Sequence, residues 1–364
     1  GKNYRTIWQN KQNRKVVQII DQRELPHKFE IIDLVSYQDA IKAIKDMAVR
    51  GAPLIGGAAA WGMYLAAINA KDKKQEKNFI LEAGKEFIEA RPTAVNLEWS
   101  IKRVLKTIEK ETSIENIINI IAREATNICD EDIRNCENIG KHGLELIKNI
   151  AEKKGGNVVN VLTHCNAGWL ATIDRGTATA PIYAARDAGI NIHVWVDETR
   201  PRNQGAGLTS WELLHEKIPH TIIVDNAGGH IMQHDLVDIC IVGSDRTTRS
   251  GDVANKIGTY LKALSAKDNN IPFFVALPDS TIDWSISDGL KDIPIEERDL
   301  SEVTNVRGII NGKIETIRVT PKRSVARNFA FDVTPRKYIS GLITPRGICK
   351  ANESDIKKLY PEHN

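Results

Sequence analysis

Five short apolar runs constrain the fold of this chain more than any other feature of its sequence. They occupy residues 158–162, 192–196, 221–224, 239–242 and 273–277. Each is too short for a buried helix and has the composition of a strand covered on both faces. The stretches between them, residues 177–188, 209–217, 231–236 and 257–266, favour helices. Strands that alternate with helices predict βαβ units, so this half of the chain is predicted to be α/β with a parallel sheet.

The first half of the chain has a different pattern and is predicted to be mostly helical. A strand at residues 16–20 precedes segments whose apolar residues recur at helical spacing. The predicted helices cover residues 37–49, 54–67, 78–90 and 97–110, followed by a pair within residues 113–150, and a charged loop occupies residues 71–77. The turn Lys153-Lys154-Gly155-Gly156 marks the change of pattern. It predicts a helical domain at residues 1–153 and an α/β domain at residues 154–364.

Polar residues follow all five predicted strands, at the point where each strand ends. The clusters are Thr163-His164-Cys165-Asn166, Asp197-Glu198-Thr199-Arg200, Asp225-Asn226, Gly243-Ser244-Asp245-Arg246 and Asp279-Ser280. A last segment, residues 333–347, is predicted to add a strand and return to the same edge. In an open α/β sheet, ligands bind beside the carboxyl ends of the strands. One polar loop alone would fit a solvated surface or a helix cap, but five at one edge predict a small-molecule site.

Two residues at this edge are candidates for proton transfer. Cys165 is either a small packing residue or a thiol whose pKa is tuned for proton transfer. Asp245 lies in a predicted loop at residues 243–256 and is its natural partner, because a carboxyl removed from water keeps its proton to a higher pH. His164 precedes Cys165, but neighbours on a strand point to opposite faces, so no nucleophile–base couple is expected between them.

Arg50, Arg91 and Lys256 are the candidate cations for an anionic substrate group. The segment Arg50-Gly51-Ala52-Pro53 stands directly before a predicted helix, whose first backbone N–H groups point outward and attract anions. The same segment also fits an ordinary turn between helices, and each cation alone also fits a solvated surface.

Composition narrows the classes of function. A net charge of +3 over 364 residues gives no basic footprint for nucleic acid. No apolar run approaches a membrane span, and the N-terminus lacks a signal-peptide pattern. The five cysteines have no paired or metal-binding spacing, which suits the reducing cytoplasm. No G-x-G-x-x-G follows the first strand, so no dinucleotide cofactor is expected. His230 and His234 lack an H-E-x-x-H motif and are interpreted as surface residues, so no metal is expected either.

Several segments together resemble the methylthioribose-1-phosphate isomerase family. They are Arg50-Gly51-Ala52-Pro53, Arg91-Pro92-Thr93-Ala94-Val95-Asn96-Leu97, Thr163-His164-Cys165-Asn166-Ala167-Gly168, Glu198-Thr199-Arg200-Pro201, Asp225-Asn226-Ala227, residues 251–260 and Phe331-Asp332-Val333-Thr334-Pro335. The similarity runs from about Thr6 to Gly347. The superfamily also includes ribose-1,5-bisphosphate isomerases and regulatory subunits of a translation initiation guanine-exchange factor.

The resemblance implies a helical N-terminal domain, a Rossmann-like C-terminal domain, a homodimer and no cofactor. It also implies a reaction, the conversion of an aldose 1-phosphate to a ketose 1-phosphate in methionine salvage, with hydrogen moved through an enediol or as a hydride. Cys165 and Asp245 match the family's catalytic pair. The positions that match its substrate-binding residues are Arg50, Gly51, Ala52, Arg91, Gln204, Asn255 and Lys256.

Five positions depart from the residues usual in the family. Thr247 and Thr248 replace an aliphatic pair, Gly207 an arginine, Phe329 a proline and Pro345 a glutamate. Because the two threonines are close in sequence to Asp245, the substituent on C5 of the substrate stays open. An isomerase for 5-deoxyribose 1-phosphate or another pentose 1-phosphate is therefore an alternative. A regulatory subunit without catalysis is a second alternative, because a fold does not imply chemistry.

Overall fold

The first half of the chain is helical, as predicted, and begins with a small antiparallel sheet. The computed structural model describes residues 4–71, 76–91 and 94–363. The elements of this half are β1 (Ile7–Gln9), β2 (Val17–Ile20), β3 (Ile31–Leu34), α1 (Tyr37–Lys45), α2 (Ala52–Ala70), α3 (Glu76–Ala90), α4 (Val95–Thr107) and α5 (Ile114–Lys153). Most of the predicted charged loop, residues 72–75, lies outside the described residues, as do Pro92 and Thr93.

Helix α2 forms the centre of the helical half. It is rich in alanine and glycine, it is buried along nearly its whole length, and it packs against α1, α3, α4 and α5. Small side chains allow this close approach: a Cβ added at Gly62 would lie 2.2 Å from Phe87 Cζ. A helix that is apolar on all sides is stable only when other elements surround it. None of the helices in the described part of the chain has the length and apolar content needed to cross a membrane.

Helix α5 differs from the prediction of a helical pair within residues 113–150. It is one continuous helix of 40 residues, capped by the Ser113 side chain. Its glycines mark close packing and not a break, because a Cβ added at Gly143 would lie 2.3 Å from Pro181 Cγ of the following helix. The helix contacts both α2 and the sheet of the second half. It therefore joins the two halves of the chain mechanically, and the domain boundary at residues 153–156 stays a prediction.

The second half contains the predicted parallel sheet with helices on both faces. Its elements are β4 (Val159–Thr163), α6 (Ala180–Asp187), β5 (Ile192–Asp197), α7 (Ser210–His215), β6 (His220–Ile223), α8 (Ala227–Gln233), β7 (Ile239–Val242), β8 (Arg246–Thr248), β9 (Val253–Lys256), α9 (Thr259–Asp268), β10 (Phe273–Ala276), β11 (Ile282–Asp283), α10 (Gly289–Asp292), α11 (Ser301–Thr304), β12 (Asn305–Ile310), β13 (Lys313–Arg318), β14 (Phe331–Thr334), β15 (Gly341–Thr344), β16 (Gly347–Cys349) and α12 (Glu353–Leu359). The main sheet has the order β16-β15-β10-β7-β4-β5-β6, and all but the edge strand β16 run parallel.

All five predicted strands are confirmed, and every strand end lies within one residue of its predicted position. The four helices predicted between these strands are also present, and each begins later or ends earlier than predicted. Helix α7, for example, is preceded by a π-helical turn at Gly205–Thr209. The sheet is apolar on both faces: α5, α6 and α7 cover one, and α8, α9 and α12 cover the other. This double covering explains why the strands are continuous apolar runs.

The prediction of a loop at residues 243–256 is wrong in one respect, because this segment folds into a β-hairpin. Strands β8 and β9 pair antiparallel and belong to a second sheet with the order β11-β8-β9-β14. The segment predicted to add one strand at residues 333–347 supplies two, since β14 joins this second sheet and β15 joins the main sheet beside β10. The hairpin stands at the carboxyl end of β7 and carries Asn255 and Lys256 back toward it.

Candidate active site

Cys165 lies directly beyond β4 in a backbone conformation that side chains seldom adopt, with φ of +68°. Two threonines hold this turn: the Cys165 N–H donates to Thr199 Oγ1 at 2.8 Å, and Thr209 Oγ1 donates to the Cys165 carbonyl at 2.7 Å. A strained residue persists only where its surroundings fix it, and such residues cluster at functional sites. The thiol is buried, and its position is set by the ends of β5 and the start of α7.

The charges around the Cys165 thiol oppose one another. Burial raises the pKa of Cys165, Arg50 and Lys256 lower it, and Asp245 raises it. The thiol therefore keeps its proton at neutral pH, with two cations close enough to stabilise the thiolate when the proton leaves. A cysteine that only filled space would not require buried cations beside it.

Asp245 follows β7, the strand next to β4 in the main sheet. Its N–H donates to the Ala254 carbonyl at 2.9 Å, which fixes the start of the hairpin. Burial raises the pKa of the Asp245 carboxyl, while Lys256, Arg50 and Arg91 lower it. The raised pKa expected from the sequence is thus present in its direction, and burial is its cause.

Lys256 and Asn255 end strand β9 and are both buried. The Lys256 ammonium lies 4.5 Å from the centre of the Phe331 ring on the neighbouring strand. Burial lowers the pKa of Lys256, whereas Cys165 and Asp245 raise it. Asn255 Nδ2 donates to Thr259 Oγ1 at 3.0 Å, which ties the hairpin to the first turn of α9.

Arg50, Gly51 and Ala52 bring the N-terminus of α2 to this edge of the sheet. Gly51 has φ of +90°, and a Cβ there would lie 2.4 Å from the Ala171 carbonyl oxygen, so only glycine allows this approach. The buried Arg50 guanidinium donates through Nη1 to Asn166 Oδ1 and through Nη2 to the Asn166 carbonyl at 2.7 Å. The long helix α2 thus directs its positive end, with Arg50 beside it, at residues that follow β4.

Arg91 is already paired, which the sequence did not predict. Its Nη2 donates to Glu296 Oε2 at 3.0 Å, and within the described residues its buried Nε has no hydrogen-bond partner. Arg91, Ala52 and Asp245 line one small cavity of about 30 Å³, and Phe331 lines it as well. The cation, the helix N-terminus and the carboxyl therefore share one space.

Gln204 lines a second and larger cavity, of about 280 Å³, together with Arg50. Gln204 is buried, and among the described residues its Oε1 accepts no hydrogen bond. The apolar lining of this cavity includes Leu25, Pro26, Met47, Gly207 and Leu208. Because Arg50 and Ala52 are two residues apart and face the two cavities, the cavities flank the same turn. All nine predicted site residues thus lie on or beside one edge of the sheet.

His164 faces away from this space, as strand alternation predicted. Its Nδ1 lies 2.7 Å from Asp197 Oδ2 and its Nε2 lies 2.8 Å from the Ile257 carbonyl. His164, Asp197 and Asp225 could in principle surround a metal ion. However, the Lys262 ammonium lies 3.1 Å from the same Asp197 oxygen and supplies the positive charge there. Asp225 instead accepts the N–H groups of residues 199 and 200.

Glu212 is a site residue that sequence reasoning missed. It is fully buried on α7 and accepts hydrogen bonds from Asn166 Nδ2 at 2.9 Å and from Tyr183 at 2.7 Å. Burial raises its pKa, while these hydrogen bonds act in the opposite direction. Glu212 therefore orients the asparagine that Arg50 contacts. No local motif marks it, because its partners come from two other segments of the chain, residues 166–170 and helix α6.

The departures from the usual family residues are placed unevenly around the site. Thr247 and Thr248 are buried and bond Ser244 and Ser250 at 2.8 Å, and neither lines the two cavities. Phe329 lies under the Arg327 guanidinium, and Pro345 is in the turn after β15. Gly207 alone among the five lines the larger cavity. His230 and His234 are exposed, as expected, with His234 Nδ1 bonded to the His230 carbonyl.

Comparison with known sequences identifies close relatives over the full length. Residues 48–351 match the model of the initiation factor 2 subunit family. A methylthioribose-1-phosphate isomerase from Desulfatibacillum aliphaticivorans is 56% identical over 362 residues, which cover 100% of this chain and 98% of that protein.

Two solved structures are similar across almost the whole chain. A 5-methylthioribose 1-phosphate isomerase from Pyrococcus horikoshii OT3 has a TM-score of 0.83 at 39% identity, covering 99% of this chain and 97% of that one. The delta subunit of translation initiation factor eIF-2B from A. fulgidus has a TM-score of 0.80 at 36% identity, covering 99% and 100%. The fold is therefore similar both to that of a protein named as an isomerase and to that of a protein named as a translation initiation factor subunit.

Proposed function

The chain belongs to the initiation factor 2 subunit family and, within it, to the methylthioribose-1-phosphate isomerases, and we propose that it converts 5-methylthioribose 1-phosphate to 5-methylthioribulose 1-phosphate. This is an aldose–ketose isomerisation of methionine salvage. The observation that carries the proposal is the pairing of the buried Cys165 thiol with the partly buried Asp245 carboxyl, which follow adjacent strands and share Arg50 and Lys256 as neighbouring cations.

The phosphate on C1 is assigned to the smaller cavity. There the N-terminus of α2 at Ala52 meets Arg91, and Lys256 lies beside Asp245. A phosphate accepts hydrogen bonds from backbone N–H groups and gains further from the helix dipole and from cations. Arg50, Gly51 and Asn255 complete the proposed binding set by holding the turn and the hairpin in place.

Ring opening is the first chemical step. The phosphate on C1 blocks spontaneous opening, so a proton must reach the ring oxygen as the bond between that oxygen and C1 breaks. Asp245 is the proposed donor, because burial raises its pKa and so favours the protonated form that can give up a proton. Activity that requires this proton falls as the pH rises through the raised pKa of Asp245.

Hydrogen transfer from C2 to C1 is the second step. Along an enediol route, Cys165 removes the proton from C2 and returns a proton to C1, while the C2 hydroxyl loses its proton to Asp245 as the carbonyl forms. Arg50 and Lys256 stabilise the transient thiolate. Along a hydride route, hydrogen moves with its electron pair from C2 to C1, the C2 hydroxyl again loses its proton to Asp245, and Cys165 excludes water. Both routes return the protein to its starting protonation state, and neither draws on a cofactor or metal.

The substituent on C5 is assigned to the larger cavity. Gln204 Oε1 faces no hydrogen-bond donor of the described residues and can accept one from a sugar hydroxyl. Leu25, Met47 and Leu208 line the same cavity and offer apolar surface for a methylthio group. An arginine at position 207 would project from the lining of this cavity, whereas Gly207 leaves the space open. The alternative substrate, 5-deoxyribose 1-phosphate, carries a smaller group and would fill the cavity less well.

A regulatory subunit without catalysis is the second candidate function. The similarity to an eIF-2B delta subunit at 36% identity favours it. The thiol–carboxyl pair argues against it, because removing ionisable groups from water destabilises the fold, and a purely structural site has no need of them. The near-neutral net charge gives no support to nucleic-acid binding. The unpaired cysteines support a cytoplasmic location.

The edge of the main sheet supports a homodimer. Strand β6 ends the sheet, and Ile222 and Val224 on and after it are exposed. Leu214 on α7, which packs on β6, is exposed as well. Apolar residues grouped at an open sheet edge are typical of a surface that another chain covers.

Sedimentation equilibrium tests this assignment. We expect the mass of two chains at micromolar concentration, and we expect Ile222→Lys to shift the protein toward one chain because it places a charge in the interface. Leu290→Lys, at an exposed apolar residue on α10, is the matched control and should stay dimeric. A wild-type protein with the mass of one chain would remove the assignment.

Turnover is tested by phosphorus and proton NMR on purified, chelator-treated protein. We expect 5-methylthioribose 1-phosphate to become the ketose without added cofactor. If neither it nor 5-deoxyribose 1-phosphate turns over, while either ligand still raises the melting temperature, the regulatory function is favoured instead.

Gly207→Leu tests where the C5 substituent lies. A Cβ at position 207 would contact only Pro26 Cδ, at 3.5 Å, so the fold should accept the change. Filling the cavity should lower kcat/KM for the methylthio substrate about tenfold or more relative to the 5-deoxy substrate, the range for a pocket that loses room for one apolar group. An equal effect on both substrates would place the substituent elsewhere.

Asp245→Asn and Cys165→Ser separate catalysis from packing. Removal of a positioned acid or base costs about 10²–10⁴-fold in rate. Asp245→Asn keeps the shape but cannot donate the proton, so kcat should collapse while substrate binding survives. Cys165→Ser keeps a small polar group, and a residue that only fills space should tolerate it. Normal turnover by folded Cys165→Ser, with circular dichroism as the folding control, would exclude the cysteine from proton transfer.

A further inference from the structure

The ion pair between Arg91 and Glu296 borders the proposed phosphate site. The side chains are 11% and 21% exposed, and Nη2 of Arg91 is 3.0 Å from Oε2 of Glu296. Arg91 lines the small cavity with Ala52 and Asp245. Glu296 also acts on Asp245, since its charge raises the pKa of that carboxyl. A carboxylate thus stands within reach of the groups assigned to the phosphate.

A carboxylate and a phosphate present the same chemistry to an arginine. Each offers anionic oxygens that accept two parallel N–H bonds from one guanidinium. Glu296 uses Nη2 of Arg91, and Nε of Arg91 is left without a hydrogen bond from the described residues. The buried Nε of Arg91 therefore still lacks an acceptor. A phosphate dianion has three terminal oxygens, so it can accept hydrogen bonds from more of the Arg91 N–H groups than the single Glu296 oxygen does.

Glu296 can release Arg91 without losing all of its partners. Its other oxygen accepts a hydrogen bond from Arg298 Nη1 at 2.9 Å. Arg298 is in turn paired with Glu302 at 3.1 Å, and Glu302 also binds Arg202 at 2.8 Å. Burial alone would raise the pKa of Glu296, but Arg91 and Arg298 hold it below the usual value. The carboxylate therefore stays charged and keeps Arg298 as a partner when Arg91 turns to another anion.

The backbone on either side of Glu296 is fixed, so only its side chain has to move. The Ala330 N–H donates to the Glu296 carbonyl at 2.9 Å, and the Arg298 N–H donates to the Asn328 carbonyl at 2.9 Å. Residues 297 and 329 form a β-bridge between these two bonds. A change of side-chain rotamer is a small, fast motion that requires no rearrangement of the domain.

We infer that Glu296 is an internal competitor for the substrate phosphate: it holds Arg91 in the free protein and yields it to the phosphate group. The inference rests on the proposed function only for the place of the phosphate. It makes Glu296 a specificity-determining residue, since an anion binds at Arg91 only if it outcompetes a carboxylate that is already in place. Weakly bound anions are rejected, and the buried arginine is never left without a counter-charge.

Calorimetric titration with inorganic phosphate tests the inference without turnover. Glu296→Gln keeps the shape of the side chain and removes its charge, so Arg91 is released from its competitor. A partly exposed ion pair is worth on the order of fivefold in an equilibrium constant, and phosphate should bind tighter by about that factor. The KM for the substrate should also fall in Glu296→Gln, because substrate binding breaks the Arg91–Glu296 pair in the wild-type protein.

Glu297→Gln is the matched control. It removes the same charge one residue away, where Glu297 is exposed and paired with Arg327. A general loss of negative charge would tighten phosphate binding equally in both variants, whereas competition for Arg91 affects Glu296→Gln alone. Arg91→Ala should weaken phosphate binding, and in a double variant it should abolish the effect of Glu296→Gln.

Three results would overturn the inference. Phosphate binding by Glu296→Gln that is equal to or weaker than binding by Glu297→Gln would make Glu296 a support for Arg91 and not a competitor. The inference would also fail if phosphate bound to neither variant. Unchanged binding in Arg91→Ala would place the phosphate away from this pair. The isomerase function is judged separately, by turnover of the wild-type protein, and survives any of these outcomes.

Discussion

The contact between Arg50 and Asn166 is the interaction on which the site depends. Arg50 precedes α2 in the helical half, and Asn166 follows Cys165 at the end of β4. Glu212 on α7 holds the other side of Asn166, so a guanidinium, an amide and a buried carboxylate form one chain of hydrogen bonds. Such a network is costly unless every member is satisfied, and it therefore fixes one arrangement of the two halves. The N-terminus of α2 reaches the sheet edge only in that arrangement.

Opposite charges within the site make its chemistry possible. Burial raises the pKa of both Cys165 and Asp245 and lowers that of Lys256, so each group is shifted toward its neutral form. The attraction between Lys256 and the two acidic groups works against these shifts. A substrate phosphate would add two negative charges beside Arg91 and Lys256. In the free protein, the Glu296 carboxylate supplies a negative charge to Arg91. Arg91 therefore has an anionic partner both in the free protein and when the phosphate is bound.

Much of the architecture could be predicted from the sequence, because buried strands and long helices leave periodic patterns. The strand ends that carry Cys165 and Asp245 were predictable for this reason. The continuous helix α5 was not, because Gly140 and Gly143 resemble breaks when only the sequence is known, although they serve close packing against α6. The β8–β9 hairpin was missed because its residues are mostly polar. Glu212 and Glu296 were missed because their roles come from partners that are distant in the chain.

A crystal structure of Asp245→Asn with 5-methylthioribose 1-phosphate would show where the substrate lies, because this variant should bind the substrate without converting it. We expect phosphate oxygens at hydrogen-bond distance from the Ala52 N–H, Arg91 and Lys256, and the C2 carbon in contact with the Cys165 sulfur. We also expect the Glu296 side chain to have turned from Arg91 toward Arg298. A phosphate bound away from the N-terminus of α2, or a sugar out of reach of Cys165, would overturn the proposed site.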